Sequence, residues 1–159
     1  MNIKKTANLF INFTIKRIAE IFGIIIFGTG LLLFLALFTY SPDDPNFIFP
    51  EKMEIRNILG FHGSFISDLF FQSLGLISYL FSFTLIVTGI NIVKSKKFFL
   101  FIENIFFAII YSIFGTLFIA HFYSNAFTLY INGNGGFVGG YLNQTFLKSL
   151  ILINDNIFY

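Results

Sequence analysis

The sequence contains no cysteine and no tryptophan, only three prolines, and only 11% charged residues among 159. Without cysteine there can be neither a disulfide framework nor a thiolate metal site. No compartment follows from this, because no framework depends on redox state. The net charge of +2 is too small to mark a nucleic-acid-binding surface. What fills the sequence instead is apolar: 56% of the residues are hydrophobic, and phenylalanine alone accounts for 26. A soluble domain of this size has no interior large enough to hide that surface, so the surface must meet lipid.

Three stretches are long enough to span a bilayer. Ile21 to Tyr40 and Leu69 to Val93 carry no charge; Asn104 to Tyr123 carries none when His121 is neutral, and Phe98 to Ile102 extends it backwards. A spanning helix needs roughly 20 apolar residues, and within lipid every backbone polar group must be bonded internally. The expectation is an all-α integral membrane bundle with spans at about 21–40, 69–93 and 98–123. The first is too long for a signal-peptide core, and no small-x-small cleavage site follows it. Lys4, Lys5, Lys16 and Arg17 precede the first span, and Lys94, Lys96 and Lys97 separate the second from the third. The first loop, 41–68, mixes Lys52 and Arg56 with five acids, and only Lys148 follows the third span. By the positive-inside rule the arm 1–20 and the second loop are cytoplasmic, while 41–68 and 124–155 lie outside.

Small residues mark where helices can approach. Gly23, Gly28 and Gly30 lie in the first span, and Gly75, Ser78 and Ser82 in the second. Ala108, Ser112, Thr116 and Ala120 repeat every four residues along one face of the third, with Gly115 beside them. This is a helix-packing face, within one chain or between subunits. "SPDDPNFIFP" holds all three prolines and reads as a helix-breaking turn. "NGNGGFVGG", 132–140, is not a phosphate loop, which would follow a strand and end in Gly-Lys-Ser/Thr. It reads as a loop leading to an interfacial helix at about 137–152, with Leu142, Phe146, Leu150 and Ile153 on one face and Gln144 and Lys148 on the other.

Candidates for chemistry are few. Glu103 is close enough to the cytoplasmic surface to snorkel, His121 reads as an interfacial histidine, and His62 has no His or Cys nearby. No pair has metal-ligand spacing and no nucleophile has a base at a recognisable spacing. No catalytic, cofactor-binding or metal residue is expected in this chain. In the stretch 57–79, Asn57, Gly60 and Gly63 fit a tight turn feeding a helix, with Ser64 as its cap and Asp68 near its start, favoured by the helix dipole and reaching headgroup water.

Taken in order, these pieces are more specific than any one of them. A first span ends in "FTYSPDDPNF"; Asn57-x-x-Gly60-x-x-Gly63 follows, then Ser67-Asp68-Leu69, Gly75 and Tyr79, and later Gly135-Gly136-Phe137-Val138-Gly139. The pattern resembles the N-terminal membrane domain of the FtsK/SpoIIIE DNA translocases over about 20–159. Ser64 and Ser67 stand where that family often has alanine. The resemblance implies a multi-pass inner-membrane domain with a cytoplasmic N-terminus. It would anchor and target the protein to the division septum, among divisome proteins, in cell division and chromosome segregation. It also implies a homo-oligomer, a hexamer, whose RecA-like motor, with its ATP and magnesium, reaches DNA from elsewhere in the protein; no Walker motif is expected in this chain. Asn57, Gly60, Gly63, Asp68, Gly75, Tyr79, Gly135, Gly136 and Gly139 would be signature positions serving assembly. The family has four spans, so the chain is expected to stop just short of a fourth, beginning near Asn156. The competing class is a small multi-span accessory subunit of a transporter or electron-transfer complex, which would show paired intramembrane polar groups or cofactor-ligating histidines.

Overall fold

The computed structural model describes residues 3–45, 54–123 and 132–149, with side chains from Asn8 onward. Among these residues the chain is entirely helical apart from its turns. Helix α1 runs Ile3–Phe38, α2 Gly60–Leu74, α3 Ile77–Ser95, α4 Phe99–Phe122 and α5 Gly136–Leu142, the last continuing into a π-helical turn, Asn143–Leu147. Among the described residues, three helices are long and apolar enough to cross a membrane: Asn8–Phe38 of α1, all of α3, and all of α4.

Helix α3 lies between α1 and α4 and runs antiparallel to both. On the α1 side, Glu20 meets Lys96 at one end and the Tyr79 hydroxyl meets Leu37 O at the other. Glycines let these two backbones touch. A Cβ at Gly23 would stand 2.9 Å from Gly89 O, and one at Gly30 would stand 2.7 Å from Ile86 N. Gly28 faces open space and takes no part in this contact. On the α4 side, Asn104 Nδ2 donates to Thr88 Oγ1 at 2.9 Å, and the Thr84 and Tyr111 hydroxyls are 2.7 Å apart. Such neutral pairs join helices within a membrane without burying a charge.

The bundle therefore has two unlike ends. At the lysine end, α3 stops on Lys96, whose left-handed conformation (φ 59°) closes the helix through an N–H bond to Ile92 O at 2.7 Å. Glu20 bonds both Lys96 and Arg17 there, and Phe22 packs on Phe98 and Phe101. At the opposite, loop end, the small core of Leu33, Leu37, Phe71 and Leu85 is closed by aromatic rings, Phe71 lying 4.8 Å from Tyr40 and 5.5 Å from Tyr79.

Several boundaries differ from the sequence reading. The N-terminal arm is helical from Ile3 and continuous with the first span. The run Leu69–Val93 is divided: α2 ends at Leu74 and α3 begins at Ile77, with Gly75 between them at φ 58°. The helix leading out of the first loop already begins at Gly60. Residues 124–131, Leu150, Ile153 and the start of the expected fourth span near Asn156 lie outside the described residues.

Candidate assembly site at the loop end

The site begins with a helix that must stop. The last carbonyls of α1 have no intrahelical N–H to receive. Asn57 supplies donors from another segment: its Nδ2 bonds Ala36 O at 2.8 Å and Thr39 O at 3.3 Å. Its Oδ1 accepts from Leu59 N–H at 3.1 Å, which also shapes the turn into α2. Asp44 holds Asn57 in place, its two carboxylate oxygens accepting the backbone N–H of Arg56 at 2.9 Å and of Asn57 at 2.8 Å. Thr39 completes the seam by accepting Ile58 N–H at 3.2 Å. Asp44, Asn57 and Asp68 are each less than 10% exposed, at 3%, 4% and 7%. A buried polar group is tolerable only when its bonding capacity is used, and here several bonds converge on a few atoms.

The glycines fit against this seam. Gly60 adopts φ 64° and donates its N–H to Asn57 O at 2.9 Å, so α2 starts from a turn that L side chains disfavour. Gly63 lies one turn further on, where a Cβ would fall on Asn57 Oδ1. Ser64 does not cap α2: the helix starts four residues earlier without a side-chain cap, and the Ser64 hydroxyl donates to Pro45 O at 3.0 Å. Ser67 turns inward and bonds Ser64 O at 3.0 Å.

Asp68 also differs from expectation. It lies past the second turn of α2 and is buried, so it does not reach headgroup water. Its Oδ1 accepts the Tyr40 hydroxyl at 3.1 Å and its Oδ2 accepts Gln72 Nε2 at 2.8 Å. It thus ties the tyrosine that ends the first span to α2, beside the Tyr40–Phe71 ring contact.

A second seam joins the Gly-rich segment to the α2–α3 bend. Leu76 N–H donates to Asn134 O at 2.9 Å, Asn132 Nδ2 to Gln72 O at 3.2 Å, and Asn134 Nδ2 to Tyr123 O at 2.6 Å, just past α4. Asn134 thus does for α4 what Asn57 does for α1. A Cβ at Gly75 would fall on Asn134 O, and one at Gly136, itself at φ 64°, would stand 2.6 Å from Gly75 N. Gly135 and Gly139 lie against Thr116 O and Ala120 on α4. Of the small-residue series, Ala108, Ser112 and Thr116 are buried and Ala120 is partly so. The helix after the loop packs through its glycines; Phe146 is exposed, and the π-helical turn shifts the face that Leu142 began.

The sequence-singled residues Asn57, Gly60, Gly63, Asp68, Gly75, Tyr79, Gly135, Gly136 and Gly139 therefore gather at one end of the bundle. Asp44, Tyr40, Gln72, Asn132 and Asn134 belong with them and were not singled out. For Asp44, Asn132 and Asn134 the available signal was an amide or acid beside Gly or Pro; Tyr40 and Gln72 carry no such mark. His62 and Glu103 are exposed, and His121 Nδ1 is 3.1 Å from Asn143 Oδ1. Among the described residues no three His, Asp or Glu side chains gather as metal ligands would.

Residues 15–154 match the family described as the 4TM region of DNA translocase FtsK/SpoIIIE. The chain belongs to this family. Two relatives, each named DNA translocase FtsK, agree with that membership. The one from Rhizobium meliloti (strain 1021) is 34% identical over 67 residues, 42% of this chain and 8% of the relative. The one from Azospirillum brasilense is 28% identical over 112 residues, 69% of this chain and 17% of the relative. The chain thus spans less than a fifth of either FtsK relative's length. No solved structure gives a significant match.

Proposed function

We propose that this chain is the membrane-anchoring and septum-targeting domain of an FtsK-like DNA translocase, acting in cell division and chromosome segregation. The observation that carries the reading is the family match over residues 15–154. The clustering of its ordered polar and glycine positions at one end of the bundle adds support. The lysine end faces the cytoplasm and the loop end the far side of the inner membrane, following the Lys and Arg of both basic segments. In this reading the loop end is a rigid assembly surface meeting division-septum proteins. The bundle gathers as a homo-oligomer that serves a hexameric motor, and the ATP, magnesium and DNA chemistry belongs to that motor. Among the described residues, the accessory-subunit alternative draws on the Asn104–Thr88 and Thr84–Tyr111 pairs. These join α3 to α4 and carry no charge.

The test is a fluorescent fusion of this chain in dividing cells that carry their own division machinery. Accumulation at midcell is the expected result, lost in Asn57→Leu while membrane insertion persists. Even fluorescence around the whole membrane for the unmodified chain would overturn septum targeting.

A further inference from the structure

Helix α1 is longer than a bilayer requires. Its 36 residues, Ile3–Phe38, extend about 54 Å at 1.5 Å per residue, against a hydrocarbon core of about 30 Å. The structure marks where the surplus lies. Glu20 bonds Lys96 at 2.9 Å, and Phe22 packs on Phe98 and Phe101, so the α3–α4 turn sits level with Glu20–Phe22. That turn carries Lys94, Lys96 and Lys97 and belongs at a membrane surface. From Glu20 to Phe38 the helix covers about 28 Å, one hydrocarbon thickness. Residues 3–19 project beyond it by about 25 Å.

This overhang is not built for water. Leu9, Phe10, Phe13 and Ile18 are all more than half exposed, Phe10 at 72%. Asn8, Asn12 and Lys16, four residues apart, form a polar stripe along one side. The charge is of one sign: Lys4, Lys5, Lys16 and Arg17 precede the first acid, Glu20. A second copy of this overhang would bring like charges together, whereas an anionic headgroup layer neutralises them. Apolar side chains beside a basic, polar stripe are the composition of a helix that lies in a charged interface. Thr14 donates its hydroxyl to Phe10 O at 3.0 Å, a back-bond of the kind that bends helices, placed midway along the overhang.

We propose that residues 3–19 of α1 form a docking element for anionic phospholipid, lying along the leaflet at the lysine end. Phe10 and Phe13 sink among the acyl chains while Asn12 and Lys16 stay at headgroup level, and Arg17, whose guanidinium lies 5.0 Å from the Phe13 ring centre and bonds Glu20, snorkels back to the membrane surface. The inference rests on α1, α3 and α4 crossing a bilayer.

The experiment uses the full chain, naturally free of cysteine, in nanodiscs of phosphatidylcholine with or without phosphatidylglycerol. Spin labels at Phe10→Cys, Asn12→Cys and Ile113→Cys are compared for accessibility to oxygen, which partitions into lipid, and to a water-soluble nickel chelate. In anionic discs the label at 10 should favour oxygen and the label at 12 the chelate. Lys5→Gln and Lys16→Gln, each removing one positive charge, should each shift the label at 10 toward water by about fivefold in its bound-to-unbound ratio. Equal water accessibility at 10 and 12 in both discs would overturn the proposal. So would protection of the label at 10 from both reagents together with copy-to-copy cross-linking, which would assign the surface to a second chain. The label at Ile113, exposed on α4, reports the spans independently. If that label is in water, the spanning arrangement itself fails.

Discussion

At the scale of single residues, the loop end is held by side chains that substitute for missing backbone partners. Asn57 is the densest case, because one amide serves Ala36 O, Thr39 O and Leu59 N–H. Asn57→Leu keeps the branched shape and removes all three bonds, so it should cost at least about 2 kcal/mol, read as a lowered denaturation midpoint in detergent. Gly63→Ala should lose about 1–3 kcal/mol for a steric reason, since the new methyl displaces Asn57 Oδ1. Gly28→Ala, facing open space, is the matched control and should be neutral or slightly stabilising. Asp68 separates charge from bonding. Asp68→Asn still offers an acceptor to Tyr40, and Gln72 can rotate its amide to present oxygen, so stability should change little. Asp68→Leu takes the acceptor from both and should lose about 1–3 kcal/mol. Equal loss in the two variants would show that the negative charge itself matters.

At the scale of elements, the three long helices are legible because apolar runs and flanking lysines report burial in lipid directly. The bend between α2 and α3 is not. "LFFQSLGLISYL" reads as one apolar run, in which a lone glycine is tolerated. What breaks it is Asn134 O receiving Leu76 N–H, a partner far along the chain that no local pattern announces. The cap expected at Ser64 is absent for a similar reason: the turn before it is set by Asn57 and by Gly60 at positive φ, so the helix starts earlier than its first hydroxyl suggests. The Ala108–Ser112–Thr116 face was legible from spacing because small residues at four-residue steps form a stripe in any helix. Its neighbours were not: Gly135 and Gly139 come to Thr116 and Ala120 from the cap and body of α5, far along the chain. Ser112→Phe should therefore be strongly disruptive, while Ile113→Phe, on the exposed side of α4, should be mild. Similar yields of folded protein for the two would mean that the face is misassigned.

At the scale of the whole molecule, the two ends carry different chemistry, and this makes orientation testable. Glu54→Cys should react with an impermeant reagent applied to intact cells, and Ser95→Cys should react only after permeabilisation; the reverse pattern would invert the bundle. The bend at Gly75 has a consequence for the order of events during synthesis. Asn132, which bonds Gln72 O across 60 residues, and Asn134, which bonds Leu76, are made long after the segments they hold. While the ribosome is still making α4, the first span and first loop can already hold α2 through Tyr40 and α3 through Leu37, but nothing from the Gly-rich segment can pin the bend, and the run 69–93 has only its local preference to follow there. That preference is a single long apolar helix. A nascent chain arrested before Asn132 should therefore present 69–93 to the insertion machinery as one uninterrupted segment. The bend should appear only after the Gly-rich loop has crossed. Disulfide trapping between cysteines introduced at Gln72 and Asn132 would time that step, with no cross-link until the loop has left the ribosome and reached the far side.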